Sequence, residues 1–377
     1  MKKRFVETVI IGGGMAGIGC ARTLLKKGHK NFKLITEDIG GRLRMSDDGH
    51  VAYGAYFIGD DYHHTKKFFK KVREINIFRV RFHDASGSYK TVSSFLHPIQ
   101  VLKFLYLINK FRRHYEGLKK RCEAVSQPVA LKEDEFLYGL YKTRAIDFVK
   151  SQGIHGISNK FMSETMYGLI FLGLEEYSAF EFFRWMQYFN RPLFEFHFLK
   201  EKFLSGIKRK IIFGKVVRIS KKRDSYEVKF KKEVLSCKNL VVATPPHISK
   251  RLLGIQKIKK PAKAYMFHIR GVIRPPWADD YELFSQHSEL IDIAHQHDGS
   301  YLLYCLSPTP NLSKYFSEHD LVKKLHWDPA FNAAGHVLWD CEVKSNLFLI
   351  GDHNIIGMED AFITGIYAAN QIVKKMR

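Results

Sequence analysis

Along the chain the spacing of apolar positions changes period several times, and each change marks an element. Residues 6–11 (VETVII) are a short apolar run rich in β-branched side chains, as in a strand buried within a parallel sheet. The run passes into Gly12-Gly13-Gly14-Met15-Ala16-Gly17. Beyond it Ala16, Ile18, Ala21, Leu24 and Leu25 fall at helical spacing, and Gly28 stands where a helix C-terminus is capped. A second strand, 32–36, ends at Glu37, which lies 20 positions past Gly17. The pattern is the beginning of a βαβ unit.

From about 61 to 202 the periodicity is helical, with many aromatics and few glycines; helices are predicted over roughly 98–120 and 179–190. Strands return near Ile211. Residues 215–219, 225–230 and 233–236 predict a small antiparallel meander, which leads into a buried strand at 240–242 stopped by Pro245 and Pro246. Further strands are predicted at 262–274 and 301–305. Residues 346–350 form a last strand, ended by Gly351-Asp352. A helix then opens near Gly357-Met358-Glu359-Asp360 and runs to about Lys374, with Ala361, Gly365, Ala368 and Ala369 as a small-residue face.

A chain of 377 residues exceeds what one core holds, so two domains are expected. With 45% hydrophobic and 26% charged residues, the composition excludes a disordered or fibrous protein. No uninterrupted apolar run is long enough to predict a membrane-spanning helix. Residues 1–4 (MKKR) before an apolar stretch imitate a secretion signal, but Glu7 and the regularly placed glycines favour a strand and turn. The five cysteines show no CxxC pair, which predicts reduced, buried thiols and a cytoplasmic protein. None of the 18 histidines falls in a metal-like spacing, so no metal is expected.

The net charge is +23, from 61 Lys+Arg against 38 Asp+Glu. The basic residues lie in short runs such as 119–121, 221–223 and 374–375, and none belongs to a nucleic-acid-binding signature; no nucleic-acid partner is expected. A solvated lysine-rich face, an anionic substrate and contact with acidic lipid heads all fit the charge. The stretch 98–121 is apolar on a broad face and ends in basic residues. It reads as a core helix, the wall of a substrate tunnel or an interfacial membrane helix.

The first βαβ unit carries chemistry. Gly12 permits a tight turn, Gly14 lets backbone approach a pyrophosphate, and Gly17 allows close packing of helix on strand. The helix N-terminus presents free N–H groups to the phosphates, and Glu37 can accept hydrogen bonds from a ribose. Gly40-Gly41-Arg42 follows at once, placing flexible backbone and a fixed cation beside the cofactor.

Three blocks, VIIGGGMAGIGCARTLLKKG…LITEDIGGRL, KVVRIS…NLVVATPP and NLFLIGDHNIIGMEDAFITGIYAA, resemble in content and order the FAD-dependent superfamily of amine oxidases, protoporphyrinogen oxidases and carotenoid desaturases. The resemblance implies an α/β chain: a Rossmann-like FAD-binding domain (parallel sheet with a small antiparallel meander) from 1–60, 203–258 and 336–377, and an α+β substrate domain from 61–202 and 259–335. It also implies non-covalent FAD. Gly12, Gly14, Met15, Ala16 and Gly17 would cradle the pyrophosphate, with Glu37 on the ribose and Gly40, Gly41 and Arg42 near the phosphates. Val216 would offer its backbone to the adenine, and Gly54, Ala55, Tyr56 and Phe57 would pass the flavin ring. Gly351 and Asp352 would meet the ribitol, while the helix start at Met358, Glu359 and Ala361 would face the flavin's pyrimidine edge.

The chain departs from amine oxidases in placing Gly357 where they carry an aromatic cage residue, and its last block has no cysteine for a covalent flavin. His268, on a predicted strand, is the candidate proton carrier. The activity implied is hydride removal from a substrate C–H to flavin N5, the substrate being a small molecule, anionic or lipid-like. The alternatives are a desaturase or isomerase working at a membrane surface and a non-catalytic binding protein of the same fold.

Overall fold

A computed structural model describes residues 3–55 and 57–376. The elements that matter begin with strand β1 (Lys3–Gly13), helix α1 (Met15–Lys26), strand β2 (Phe32–Ile39), helix α2 (Pro98–Arg121), helix α3 (Ala179–Met186) and strand β3 (Leu193–Phe198). They continue with β4 (Glu233–Val242), β5 (Lys260–Ile273), β6 (Phe316–Ala334), β7 (Leu347–Leu349) and helix α4 (Met358–Lys374).

The first sheet has eight strands. Its spine runs β7, β4, β1, β2 and Ile211–Phe213, every pair parallel. Parallel strands covered on both faces need apolar side chains in both directions. Accordingly Ile10, Leu34, Val241 and Phe348 pack beneath α1 and α4, while Val9, Ile35, Val242 and Leu349 face the opposite core. The meander Val216–Lys221 and Tyr226–Phe230 folds antiparallel onto β4. The two strands expected at 233–236 and 240–242 are one. Asn239 interrupts the apolar pattern, yet its amide is satisfied inside the sheet by the Glu7 carbonyl and Thr8.

A seven-stranded sheet runs β6, β5, Tyr301–Cys305, Leu290–His295, Tyr281–Phe284, Val80–Asp84 and Gly87–Lys90. In a third, small sheet β3 lies between Ile58–Gly59 and Phe69–Glu74. The segment 61–202 is therefore not wholly helical. In Val80–Asp84 the residues Val80, Phe82 and His83 are buried, and pairing with the distant Tyr281–Phe284 decides their state. Such long-range pairing overrides a local pattern. The helix expected at 179–190 stops at Met186.

Helix α2 buries Phe104, Ile108, Phe111, Tyr115 and Leu118 against α3 and its neighbours. Two of its cations are not solvated: Lys119 pairs with Asp61 at 3.0 Å, and Arg112 donates to the Gln187 carbonyl and Asn190. The two expected parts share a seam. Val51, Tyr53 and Phe57 join the core of α2 and α3, while Tyr62, Phe68, Tyr188 and Phe196 join the core beneath α1 and α4. All five cysteines are free and buried. Among the described residues no helix is long and apolar enough to cross a membrane.

Candidate functional site

Glycine sets the turn from β1 into α1. Gly12 has φ +114°, and a Cβ there would stand 2.4 Å from the Ala243 carbonyl oxygen. At Gly17 a Cβ would stand 1.9 Å from the Gly12 carbonyl oxygen. These two glycines seat α1 against β1 and β4. Gly14 differs. Nothing lies nearer to its hypothetical Cβ than Gly41 Cα at 3.9 Å, so its face is open. No side chain caps α1. Its first N–H groups have no intrahelical partner, and they carry the positive end of the helix dipole. Thr36, which the sequence pattern does not single out, locks the turn: its hydroxyl accepts from the Gly13 N–H at 3.0 Å and donates to the Asp38 carbonyl at 2.6 Å.

A second helix N-terminus arrives beside the first. Helix α4 crosses α1 closely because Gly365 carries no side chain; a Cβ there would stand 2.2 Å from the Ala16 carbonyl oxygen. Helix α4 likewise has no side-chain cap. Its two acidic first-turn residues are turned to structural use. Glu359 accepts from the backbone N–H groups of His64 (2.7 Å) and Thr65 (3.0 Å) and from the Thr65 hydroxyl (2.5 Å). Asp360 accepts from Tyr115 Oη at 2.6 Å and Arg184 Nη2 at 3.1 Å.

Between the two helix ends runs a cavity of about 480 Å³. Of the residues picked out by sequence, Gly12, Gly14, Met15 and Ala16 line it from the first turn, and Glu37, Gly40, Gly41 and Arg42 from the end of β2 and beyond. Gly54, Ala55, Phe57 and Val216 line it as well, as do Gly351, Asp352, Met358 and Ala361. Gly17 and Glu359 do not: the one sits inside the helix–strand contact and the other faces the 64–65 backbone. Tyr56 lies outside the described residues.

His268 does not reach the cavity. It is buried, with Nδ1 bonded to Tyr53 Oη at 3.1 Å and Nε2 to Ser300 Oγ at 2.8 Å. Burial pushes its pKa down, against the opposing pull of Asp298. A ring held at both nitrogens is a structural histidine, so the proton-carrier assignment fails on geometry.

Arg42 and Asp352, assigned separately to phosphate and ribitol, are ion-paired with each other. Burial works to raise the Asp352 carboxyl, but Arg42 and His353 outweigh it and hold the group below the usual carboxylate range. His353 itself is pushed down to about 4 by burial, against the attraction of Asp352. Arg42 also donates to the Ala330 carbonyl at 3.2 Å and lies over the Phe331 ring. Arg44 and Arg251 line the same cavity and add two more cations.

From Arg42 the wall turns apolar. Phe331 touches Phe171, and Phe171 touches Tyr304, at centroid distances of 5.7 and 5.6 Å. Tyr304 donates to the Tyr53 carbonyl. Phe57, Leu169, Trp185 and Ile356 complete this end. Apart from Phe57, no sequence motif marks these residues, which come from six separate stretches.

Compared by sequence, the chain matches no protein-family model and no curated relative. By structure, putrescine oxidase bound to putrescine is 11% identical, with a TM-score of 0.70 over 99% of this chain and 100% of that one. A CLA-producing fatty acid isomerase from P. acnes is 10% identical, with a TM-score of 0.69 over 98% of each chain. Cyclohexylamine oxidase from Brevibacterium oxydans is 14% identical, with a TM-score of 0.64 over 98% of this chain and 99% of that one. The chain has the FAD-dependent amine oxidase fold.

Within the amine oxidase fold, the departure at Gly357 now has a cause. A Cβ there would stand 1.9 Å from Arg184 Nη2 and 2.5 Å from Asp360 Oδ2. The Arg184 guanidinium, with Trp185 stacked 4.3 Å from it, occupies the room that a side chain at 357 would need.

Proposed function

We propose that this protein is an FAD-dependent oxidoreductase that takes a hydride from a C–H bond of a largely apolar substrate. The observation that carries the reading is one continuous cavity, running from two uncapped helix N-termini and three arginines to an aromatic wall. Gly14 and the first turn of α1 would hold a pyrophosphate, and Arg42, Arg44 and Arg251 would offset its charge. Glu37 would accept from ribose hydroxyls, and Val216 would present backbone to the adenine. The N-terminus of α4 would stabilise negative charge on the ring system. FAD bound there supplies the two-electron acceptor. No cysteine lines the cavity among the described residues, so the cofactor would be held without a thioether.

The aromatic wall excludes water from the reacting C–H. Among Phe57, Leu169, Phe171, Trp185, Tyr304, Phe331 and Ile356 there is no carboxylate, lysine or histidine. A substrate that releases hydride without a protein base therefore suits this end, as a neutral amine does in becoming an iminium. The test is purification with flavin, followed by anaerobic mixing with amines of graded apolar bulk. Bleaching of the flavin by bulky apolar amines supports the reading; protein that stays colourless after incubation with excess FAD rejects it.

A second reading, a lipid-like substrate drawn from an anionic bilayer, is favoured by the outer face of α2. Ile99, Leu102 and Tyr106 are 80%, 68% and 64% exposed, with Lys103, Arg113 and Lys120 exposed on the same helix. An apolar stripe among cations complements acidic headgroups. Flotation with phosphatidylserine vesicles at low salt tests this: binding weakened by Leu102→Asp supports it, and absence of binding rules it out.

A further inference from the structure

Three histidines at least a hundred residues apart in sequence meet in one cluster. His50 sits on the turn of a hairpin closed by the Met45–Ala52 bridge and by the Ser46 N–H to Val51 carbonyl bond of 2.7 Å. His197 lies on β3. His297 lies on the turn between Leu290–His295 and Tyr301–Cys305. One ring nitrogen of each falls within 4.8 Å of those of the other two. The ring centroids of His197 stand 5.0 Å from His50 and 5.1 Å from His297. None of the three lines the cavity described above. The sequence spacing gives no sign of this cluster, because three different sheets and loops bring it together.

We propose that His50, His197 and His297 form a binding site for a divalent transition metal, zinc foremost, with a fourth position open to water. Three imidazoles in reach of one point are a zinc donor set. The case for a built site rests on His297. Its Nδ1 bonds to Glu195 Oε2 at 3.1 Å, and its backbone N–H donates to the same oxygen at 3.2 Å. Glu195 is itself fixed, accepting from Tyr281 Oη at 2.9 Å and from Arg73. A carboxylate on Nδ1 sets the tautomer and leaves the lone pair on Nε2. That Nε2 is buried and has no hydrogen-bond partner among the described residues. An imidazole oriented by a buried carboxylate, with its second nitrogen unsatisfied and two further imidazoles beside it, is the arrangement that a coordinated metal completes.

The metal would tie the 46–51 hairpin to β3 and to the 296–300 turn. The hairpin's base continues into Arg44 and Gly54, which line the cavity, so the clamp would stiffen one wall of the proposed cofactor site.

The experiment is titration of chelator-treated full-length protein with Zn²⁺ alone, against a chromophoric competitor, with thermal unfolding read in parallel. One equivalent should bind, and the unfolding temperature should rise with Zn²⁺. His50→Ala, at an exposed turn, should lower the affinity by at least about tenfold while leaving secondary structure unchanged. His287→Ala, at an exposed position outside the cluster, should change nothing. Absence of stoichiometric binding, or binding that His50→Ala and His297→Ala leave intact, overturns the proposal. Flavin loading is a separate readout, so loss of the oxidoreductase reading and loss of the metal reading are told apart.

Discussion

Arg184 and Asp360 form an ion pair with side chains only 3% and 4% exposed, and they hold the start of α4 in place. Arg184→Met removes the cation and leaves Asp360 with Tyr115 as its donor. Breaking one side of a buried pair costs about 3–5 kcal/mol, because the remaining charge stays desolvated. The upper half of that range applies here. Glu181, buried with Lys259 3.6 Å from one of its oxygens, also draws on Arg184. At about 2 °C per kcal/mol for a large chain, the single variant should lose roughly 8–10 °C in unfolding temperature. Arg184→Met/Asp360→Asn removes both charges and should recover part of the loss, with a coupling energy of about 1–3 kcal/mol. The assay is thermal unfolding followed by circular dichroism, with flavin fluorescence as a second probe, since α4 begins at the cavity. If the single variant melts within a degree of the parent, or the double variant loses the full sum of the two singles, the pair does not hold α4 as argued.

Gly14→Ala and Gly17→Ala should separate cofactor binding from folding. The first has room in the protein and should fold but lose flavin, whereas the second drives a Cβ to 1.9 Å from the Gly12 carbonyl and should lose both, as read by soluble yield and flavin absorbance. Asp352→Ala leaves Arg42 without its ionic partner and should reduce flavin occupancy after dialysis, measured by absorbance ratio. Glu164 is buried with one oxygen unpartnered, and burial pushes its pKa from 4.5 up to about 8. The folded chain thus keeps a proton that the unfolded chain releases, and stability falls as pH rises from about 4.5 to 8. Glu164→Gln should match the parent near pH 4 and melt higher at pH 9; identical pH profiles would show that the carboxyl is not held protonated.

The parts of the fold legible from the chain are those where backbone chemistry restricts residue identity. Only glycine satisfies the contacts at 12 and 17, so the β1–α1 turn could be read with its function attached. The same holds for the close crossing of α4 on α1, where Gly365 and the small residues around it announced a packed helix. Aromatic and ionisable side chains carry no such restriction. Phe171, Tyr304 and Phe331 look like core residues wherever they occur, and only the pairing of distant strands turns them onto one cavity. His268 shows the converse. Its place on a predicted strand made it a candidate, and Tyr53 and Ser300, which occupy its two nitrogens, come from segments that its own neighbourhood does not reveal.

The same asymmetry governs the charges. Lys119, in the last turn of α2, and Arg112, within it, read in sequence as solvated basic residues, yet both are buried against partners from other segments. Glu359 and Asp360 begin a helix as acidic first-turn residues favoured by its dipole, yet both serve to anchor it to the loop at 64–65 and to α3. A run of charge thus defines where an element starts or stops, but whether each charge is solvent-facing, structural or part of a site depends on which distant element folds against it. His50, His197 and His297 take this furthest. No spacing rule connects them, and their rings meet only because the 46–51 hairpin, β3 and the 296–300 turn pack together, with the buried carboxylate of Glu195 holding His297.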